Sequence, residues 1–338
     1  MDIKKVKLGK SEVVATRIAL GTWAIGGSGW GGTDEDQSIE TIHAAIDKGV
    51  TMIDTAPAYG QGLSEELVGK AIASSNVKRE DLVLATKAGI GFTDDGNYRD
   101  TRPERLEQEL HESLDRLQTD YIDVYQIHWP DTDVSIEETA KKMKEFYDQG
   151  KIRAIGVSNF SPEQMNEWQK YAPIHTSQMH LNMLQRYLID WFEYCKKNEI
   201  ATLSWGSLAH GMLTGKYSKD ASFSDDDLRS KIDLFQGDRF PSMIDAVGEL
   251  KDLANKKDRN LIQLSIRWLL DHQPGTDVAL WGARKPSQMD GVEGADDFEL
   301  SNDDLQLIDE ILYKHVDDLE NGSLKEYGPP LRSQLQEN

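Results

Sequence analysis

A single cysteine, Cys195, stands in 338 residues. It excludes an intramolecular disulfide and fits a reducing compartment. A catalytic thiol is not expected there, because Cys195 lies inside a helix-like run over residues 190–198. Long apolar runs are also missing. Mean hydropathy is -0.58, and no stretch approaches the ~20 apolar residues of a bilayer-spanning helix. Residues 1–7 have no apolar segment behind them, so no secretory signal is expected and a cytoplasmic location is. Cations are scarce: 38 Lys and Arg face 59 Asp and Glu, a net charge of -21. Such a balance disfavours nucleic acid as a partner. It reads as an ordinary acidic enzyme, ahead of one adapted to high ionic strength, where self-repulsion is screened. Any anionic ligand must then be held by local cations and helix N-termini against the field of the whole chain.

Several chemistries are missing as motifs. The eight histidines show neither His-x-His nor His-Glu-x-x-His spacing, so no metal site is expected. Gly-x-Ser-x-Gly, the usual sign of a nucleophile elbow, does not occur. The stretch Gly26-Gly27-Ser28-Gly29-Trp30-Gly31-Gly32 lacks the Lys-Ser/Thr ending of a P-loop and does not open a compact βαβ dinucleotide unit. It reads as a loop. Asp225-Asp226-Asp227 reads as a solvated helix start, not a metal site.

What is present is a regular alternation. Residues 4–8 and 12–15, split by Gly9-Lys10-Ser11, predict a short N-terminal hairpin. Residues 18–21, 50–54, 82–86, 121–127, 152–157, 176–180, 201–204 and 278–280 read as eight strands. Helix-length segments at 36–48, 63–73, 102–117, 135–148, 161–170, 188–198, 242–255, 261–271 and 301–314 fall between and after them, and an irregular stretch at 207–239 breaks the rhythm. Eight such alternations predict an α/β fold, a (β/α)8 TIM barrel, as one domain over residues 1–320. Residues 321–338 form a polar, turn-rich surface tail. Helix starts agree: the run Thr33-Asp34-Glu35-Asp36, Ser161 before Pro162, and Ser301 before three polar residues are capping sequences.

Three of the apolar runs end in residues with chemistry. The second strand delivers Asp54 and then Tyr59, the third Lys87, and the fourth His128. Parallel strands bring their C-terminal ends to one face, where barrel enzymes build active sites. Taken singly, these residues could be a strand cap, a packing ring, a surface charge and a structural histidine. Together they have a logic. A tyrosine with its ordinary pKa of about 10 is a weak acid at neutral pH. A lysine ammonium beside it favours the phenolate, a carboxylate holds the lysine, and a histidine donates to a carbonyl oxygen or relays a proton. Such a group suits proton transfer to a carbonyl while a hydride reaches carbon.

With these residues in order, the chain resembles an aldo-keto reductase over nearly its whole length, and the segment after the eighth strand resembles a bacterial branch with stress-related and polyol-active members. Residues 49–60, Lys87, His128 before Trp129-Pro130, Gly156-Val157-Ser158-Asn159-Phe160 and Leu213-Thr214-Gly215-Lys216-Tyr217 carry the resemblance. It implies Tyr59 as general acid/base, Asp54 and Lys87 as its tuners, and His128 as the group that orients the carbonyl. It also implies a nicotinamide cofactor, NADP(H), and a small carbonyl or alcohol as substrate, with no membrane or nucleic-acid partner.

By the same resemblance, Gly21, Thr22, Trp23 and Asp54 approach the nicotinamide end of the cofactor, and Ser158, Asn159 and Gln178 bind its carboxamide. Trp205 stands where the family usually has a stacking tyrosine. Ser207, Leu208, Gly211 and Lys216 wrap the pyrophosphate. After the eighth strand the chain departs from the common pattern, with Leu280-Trp281-Gly282-Ala283-Arg284-Lys285-Pro286-Ser287-Gln288. There Gly282, Arg284 and Gln288 are cofactor candidates, and Arg284 suits the 2′-phosphate of NADP. Trp23, Trp30 and Trp129, with Tyr59 and His128, are expected around the substrate. A redox-sensing nicotinamide-binding module with little turnover is the alternative reading. A barrel glycosidase with paired carboxylates is disfavoured, because only Asp54 is acidic among the matched strand ends.

Overall fold

The computed structural model describes residues 2–27, 29–93, 96–316, 319–324 and 327–336. Ser28 of the glycine-rich stretch, and Lys325, Glu326, Glu337 and Asn338 of the tail, lie outside the described residues. Eight parallel strands close into a barrel: β3 (Ile18–Gly21), β4 (Met52–Asp54), β5 (Val83–Ala88), β8 (Val124–Ile127), β9 (Ile155–Ser158), β10 (Thr176–His180), β11 (Ala201–Trp205) and β12 (Val278–Gly282). Helices α1 (Glu35–Asp47), α2 (Leu63–Ser74), α3 (Pro103–Leu117), α4 (Ile136–Asp148), α5 (Pro162–Trp168), α6 (Ile189–Lys197), α7 (Arg239–Lys256), α8 (Leu261–Asp271) and α9 (Asn302–His315) lie outside it. The predicted barrel is therefore the observed one, with boundaries displaced by a few residues.

The caps explain where helices start. Asp34 accepts from Gln37 N at 3.0 Å. Ser161 with Gln164, and Ser301 with Asp304, form reciprocal capping boxes, and Pro162 occupies the first helical turn. Each arrangement satisfies amide groups that a helix start leaves unpaired.

The hairpin β1 (Lys5–Lys7) and β2 (Val14–Thr16) forms as expected. Its Leu8, Val13 and Ala15 are buried against Ala19, Met52, Val83, Val124, Ala201 and Val278, which sit at the starts of the barrel strands. One end of the barrel is thus plugged with hydrocarbon. Side chains alternate across a strand with a period of two, so the residues two or four places on share that inward face. They are Gly21, Asp54, Lys87, Gln126, Trp205 and Gly282. Each strand therefore carries packing at its start and polar or small residues at its end.

Two features have no counterpart in the sequence reading. A second hairpin, β6 (Ile90–Thr93) with β7 (Gly96–Arg99), stands on the mouth between β5 and α3. The tail folds back onto this hairpin. Arg99 N donates to Pro330 O at 2.9 Å, Arg99 Nε donates to Pro329 O at 2.8 Å, and Ser333 binds Asp133 through backbone and hydroxyl. Among the described residues no helix is long and apolar enough to cross a membrane.

Candidate active site

The strand register brings the catalytic candidates together. Gly21 pairs with Asp54, Asp54 with Ala85, and Lys87 with Gln126. Lys87 is fully buried, and its Nζ donates to Asp54 Oδ2 at 2.7 Å, Thr55 O at 2.9 Å and Tyr59 OH at 3.1 Å. All three ammonium protons thus have acceptors. The other Asp54 oxygen accepts from Gln178 Nε2 at 2.7 Å and Gln126 Nε2 at 3.3 Å. Tyr59 meets the His128 ring edge-on at 5.8 Å and stacks on Trp23 at 6.3 Å. Gly26 permits this arrangement, since a Cβ there would lie 2.5 Å from the Tyr59 carbonyl carbon. His128 is held through its backbone. Its N–H donates to Ala88 O, and its carbonyl accepts from Asn159 Nδ2 at 3.2 Å.

Burial dominates the electrostatics. It raises the Tyr59 pKa, the nearby Lys87 charge opposes it, and the Asp54 carboxylate adds to it, leaving the phenol above its usual value of 10.0. The lysine does favour the phenolate, but desolvation outweighs it, so Tyr59 holds its proton at neutral pH. Burial alone would lower Lys87. The Asp54 and Tyr59 charges and their hydrogen bonds more than reverse that, and the ammonium is stabilised. His128 is pushed well below 6.5 by burial and then by Lys87, which makes it a neutral imidazole. The site therefore presents a protonated phenol and a neutral ring to a cavity, with a fixed cation behind them.

That cavity has a volume of about 1060 Å³. Nearly all candidate residues line it: Gly21, Trp23, Trp30, Asp54, Tyr59, His128, Trp129, Ser158, Asn159, Gln178, Trp205, Ser207, Leu208, Gly211, Lys216, Gly282, Arg284 and Gln288. Lys87 does not line it and reaches it through Asp54 and Tyr59. Thr22 does not line it. Its hydroxyl donates to Asp54 O at 2.9 Å and accepts from Ser64, tying the ends of β3 and β4 together.

The donor set fits an elongated ligand with an amide at one end and phosphates at the other. Gln178 spends its amide N–H on Asp54, and its carbonyl oxygen has no hydrogen-bond partner among the described residues. Trp205 is fixed by donation from Nε1 to Asn159 Oδ1 at 3.0 Å. After β11 and β12, Lys216, Arg284 and Lys285 line the cavity, and none of them forms a salt bridge among the described residues, although Asp227 feels the Lys216 charge. Three such cations on one wall are a marked local exception in a chain of net charge -21. Arg284 donates to the carbonyls of Trp30 and Gly32, closing the glycine-rich loop against β12. Gln288 caps the turn that carries it, accepting from Arg284 N at 2.7 Å and Lys285 N at 3.1 Å.

Among the further residues that reach the cavity are His210, Arg229 and Tyr327. Arg229 is gripped by Asp227, the N-cap of a short 3-10 turn over Leu228–Ser230. The acidic run 225–227 hence does more than start a solvated turn. Tyr327 through Pro330 and Leu335 make the tail one wall of the cavity. His210 lies beside the recognisable Gly211, so its neighbourhood was legible, whereas Arg229 and Tyr327 sit in aperiodic segments.

A profile of the aldo/keto reductase family matches residues 17–313. The chain is 50% identical over 308 residues to the aldo-keto reductase YhdN of Bacillus subtilis, covering 90% of this chain and 92% of that protein. It is 32% identical to the NADH-specific methylglyoxal reductase of Escherichia coli, covering 91% and 98% of the two chains. Among solved structures, the glycerol dehydrogenase of Gluconobacter oxydans superposes with a TM-score of 0.86 at 41% identity, covering 94% of this chain and 97% of that one. Family profile, relatives and barrel agree, and this oxidoreductase chain belongs to the aldo/keto reductase family.

Proposed function

We propose that the protein reduces small aldehydes, ketones or sugar-like carbonyls with NADPH, and runs the reverse alcohol oxidation, using Tyr59 as general acid/base. One observation carries the reading: the Asp54–Lys87–Tyr59 hydrogen-bond chain, whose buried ion pair backs a phenol that meets the His128 ring at the cavity. A reduced nicotinamide bound in this cavity would be the hydride source. Tyr59 passes its phenolic proton to the carbonyl oxygen as charge develops there. Lys87 stabilises the phenolate left behind, and Asp54 keeps the ammonium in place. The neutral His128 ring donates an N–H to the same oxygen and orients it. In oxidation the steps reverse, and Tyr59 takes the proton. Acid-base help of this kind is worth roughly 10²–10⁴-fold.

Ser158, Asn159 and Gln178 would hold the carboxamide and Trp205 would stack on the nicotinamide ring. Ser207, Leu208, Gly211 and Lys216 would line the pyrophosphate. Arg284 supports NADP over NAD. Its partners here are two neutral carbonyls, and a phosphate dianion makes the stronger, bidentate partner. A screen of carbonyls and alcohols with NADPH, NADH, NADP and NAD, followed at the nicotinamide absorbance, tests the reading. Turnover with NADPH above NADH is expected, and no turnover with any pair would overturn it.

A further inference from the structure

Glu65 is a carboxylate in a place where hydrocarbon would serve. It lies on α2 with none of its surface exposed, behind the barrel wall and outside the cavity lining. Both of its oxygens are used. Oε1 accepts from the Thr86 hydroxyl of β5 at 2.5 Å, and Oε2 accepts from Arg116 Nε of α3 at 2.7 Å. Burial still leaves the carboxyl above its ordinary value, against the pull of Arg116 and of these hydrogen bonds. Taking such a charge out of water is unfavourable, and a well-packed apolar side chain would join α2 to β5 without that cost. Apolar contact is non-directional, whereas a hydrogen bond to a carboxylate has a set length and direction. What the carboxylate adds to this junction is therefore position.

The two elements it joins carry the proton donor and its cation. Helix α2 starts directly behind Tyr59: Ser64 N donates to Tyr59 O and Leu63 N to Gly60 O, both at 3.2 Å. Side chains alternate along β5, so Thr86 points outward to Glu65 while the next residue, Lys87, points inward to Tyr59. The circuit is short. Tyr59 leads to Ser64, Glu65, Thr86 and Lys87, and Lys87 Nζ returns to Tyr59 OH at 3.1 Å. Beyond Lys87 the chain is held as well, where Glu109 of α3 accepts from Gly89 N at 2.7 Å. Helix α3 in turn presses close on α2, since a Cβ on Gly69 would lie 2.3 Å from Arg116 O. Arg105 and Glu109 of α3 and Tyr125 of β8 share this buried layer with Glu65 and Arg116. The charges that act on Tyr59 itself are those of Lys87 and Asp54.

We propose that Glu65 and Thr86 are positioning residues: the bond between them fixes α2 on β5 and thereby sets the reach from Lys87 Nζ to the Tyr59 hydroxyl. The proposal rests on the reading of Tyr59 as general acid/base and extends it to a pair that touches neither substrate nor cofactor. Lys87 stabilises the phenolate through a hydrogen bond and a charge, and both weaken with distance. A longer reach therefore leaves the phenol a weaker acid.

The test is a pair of variants at residue 86, assayed with NADPH and butanal on the full chain. Thr86→Val keeps the volume and the strand preference and removes the hydroxyl. Thr86→Ser keeps the hydroxyl and removes the methyl. In Thr86→Val, kcat/KM at pH 7 should fall about threefold to tenfold, and its decline at high pH should set in about one pH unit later than in the wild type. Thr86→Ser should stay within about twofold at pH 7 and keep the wild-type pH profile. NADPH affinity, read by fluorescence titration, should stay within about twofold in both. The pH shift separates position from damage, because a merely disordered site loses rate at every pH alike. An unmoved profile in Thr86→Val, a shift to lower pH, an equal shift in Thr86→Ser or a loss of NADPH affinity would each overturn the proposal. A wild type that oxidises NADPH with no carbonyl of the screen above would instead overturn the reduction reading on which it stands.

Discussion

The two ends of the barrel are built from the same strands and have opposite chemistry. At the strand starts, Ala19, Met52, Val83, Val124, Ala201 and Val278 close on Leu8, Val13 and Ala15 of the hairpin. Two to four residues further along the same inward faces stand Asp54, Lys87, Gln126 and Trp205, joined by Ser158 and Gln178. One end gains stability from removing hydrocarbon from water. The other holds a buried ion pair with a half-buried phenol on it, an arrangement that is costly to desolvate. Packing and chemistry are thus separated by one strand length, and substitutions at either end should report on one property or the other.

The sharpest challenge to that separation is Lys87→Met, which acts on both. It leaves the Asp54 carboxylate buried without its cation, so stability should fall by about 3–5 kcal/mol, with activity largely lost. Denaturant unfolding and steady-state assays would read both. At the plugged end, Leu8→Ala should cost about 3 kcal/mol of stability as a cavity opens, while kcat for carbonyl reduction holds. A fall in kcat with intact stability would break the comparison. Tyr59→Phe is the converse. Turnover should drop at least about 10²-fold, NADPH affinity should barely change, and the unfolding midpoint should not fall. Near-normal reduction by this variant would remove Tyr59 as the proton donor.

Arg284→Ala is expected to weaken NADPH binding by about 1.5–3 kcal/mol, the scale of a charged hydrogen bond, with NADH affinity little changed. Parallel titrations decide it, and equal weakening of both cofactors would show that Arg284 does not read the 2′-phosphate. The smallest effect expected is that of pH. Tyr59 lies above its usual value and His128 well below 6.5. Reduction needs the protonated phenol, so kcat/KM should be flat from about pH 6 to 9 and fall only as pH rises through the elevated tyrosine pKa. An inflection near 6.5 would mean that His128 titrates as an ordinary histidine.

Much of this was legible in the sequence, for local reasons. The barrel strands are short apolar runs, and their helices begin at Asp34, Ser161 and Ser301, which cap as their side chains predict. Asp54, Lys87 and His128 stand at strand ends and Tyr59 in the turn after Asp54, so parallel topology brings them to one face. What stayed hidden depends on contacts far apart in the chain. The tail could be read as polar and turn-rich, but its seat on Arg99 comes from backbone hydrogen bonds that leave no pattern in side chains. His210, Trp30 and Tyr327 meet from three aperiodic segments. The direction of the Tyr59 shift depends on how deeply the ring is buried, which no neighbouring residue in the sequence discloses.

The opposed hairpin and docked tail also decide how this protein should be handled as a material. Immobilised through the β1 side, the molecule would turn its mouth to the bulk solution, and reactants would reach it freely. Grafted through the segment around Arg332, the support would sit beside Leu335 on the cavity rim. Throughput on a solid phase should therefore differ between the two attachments even with identical loading.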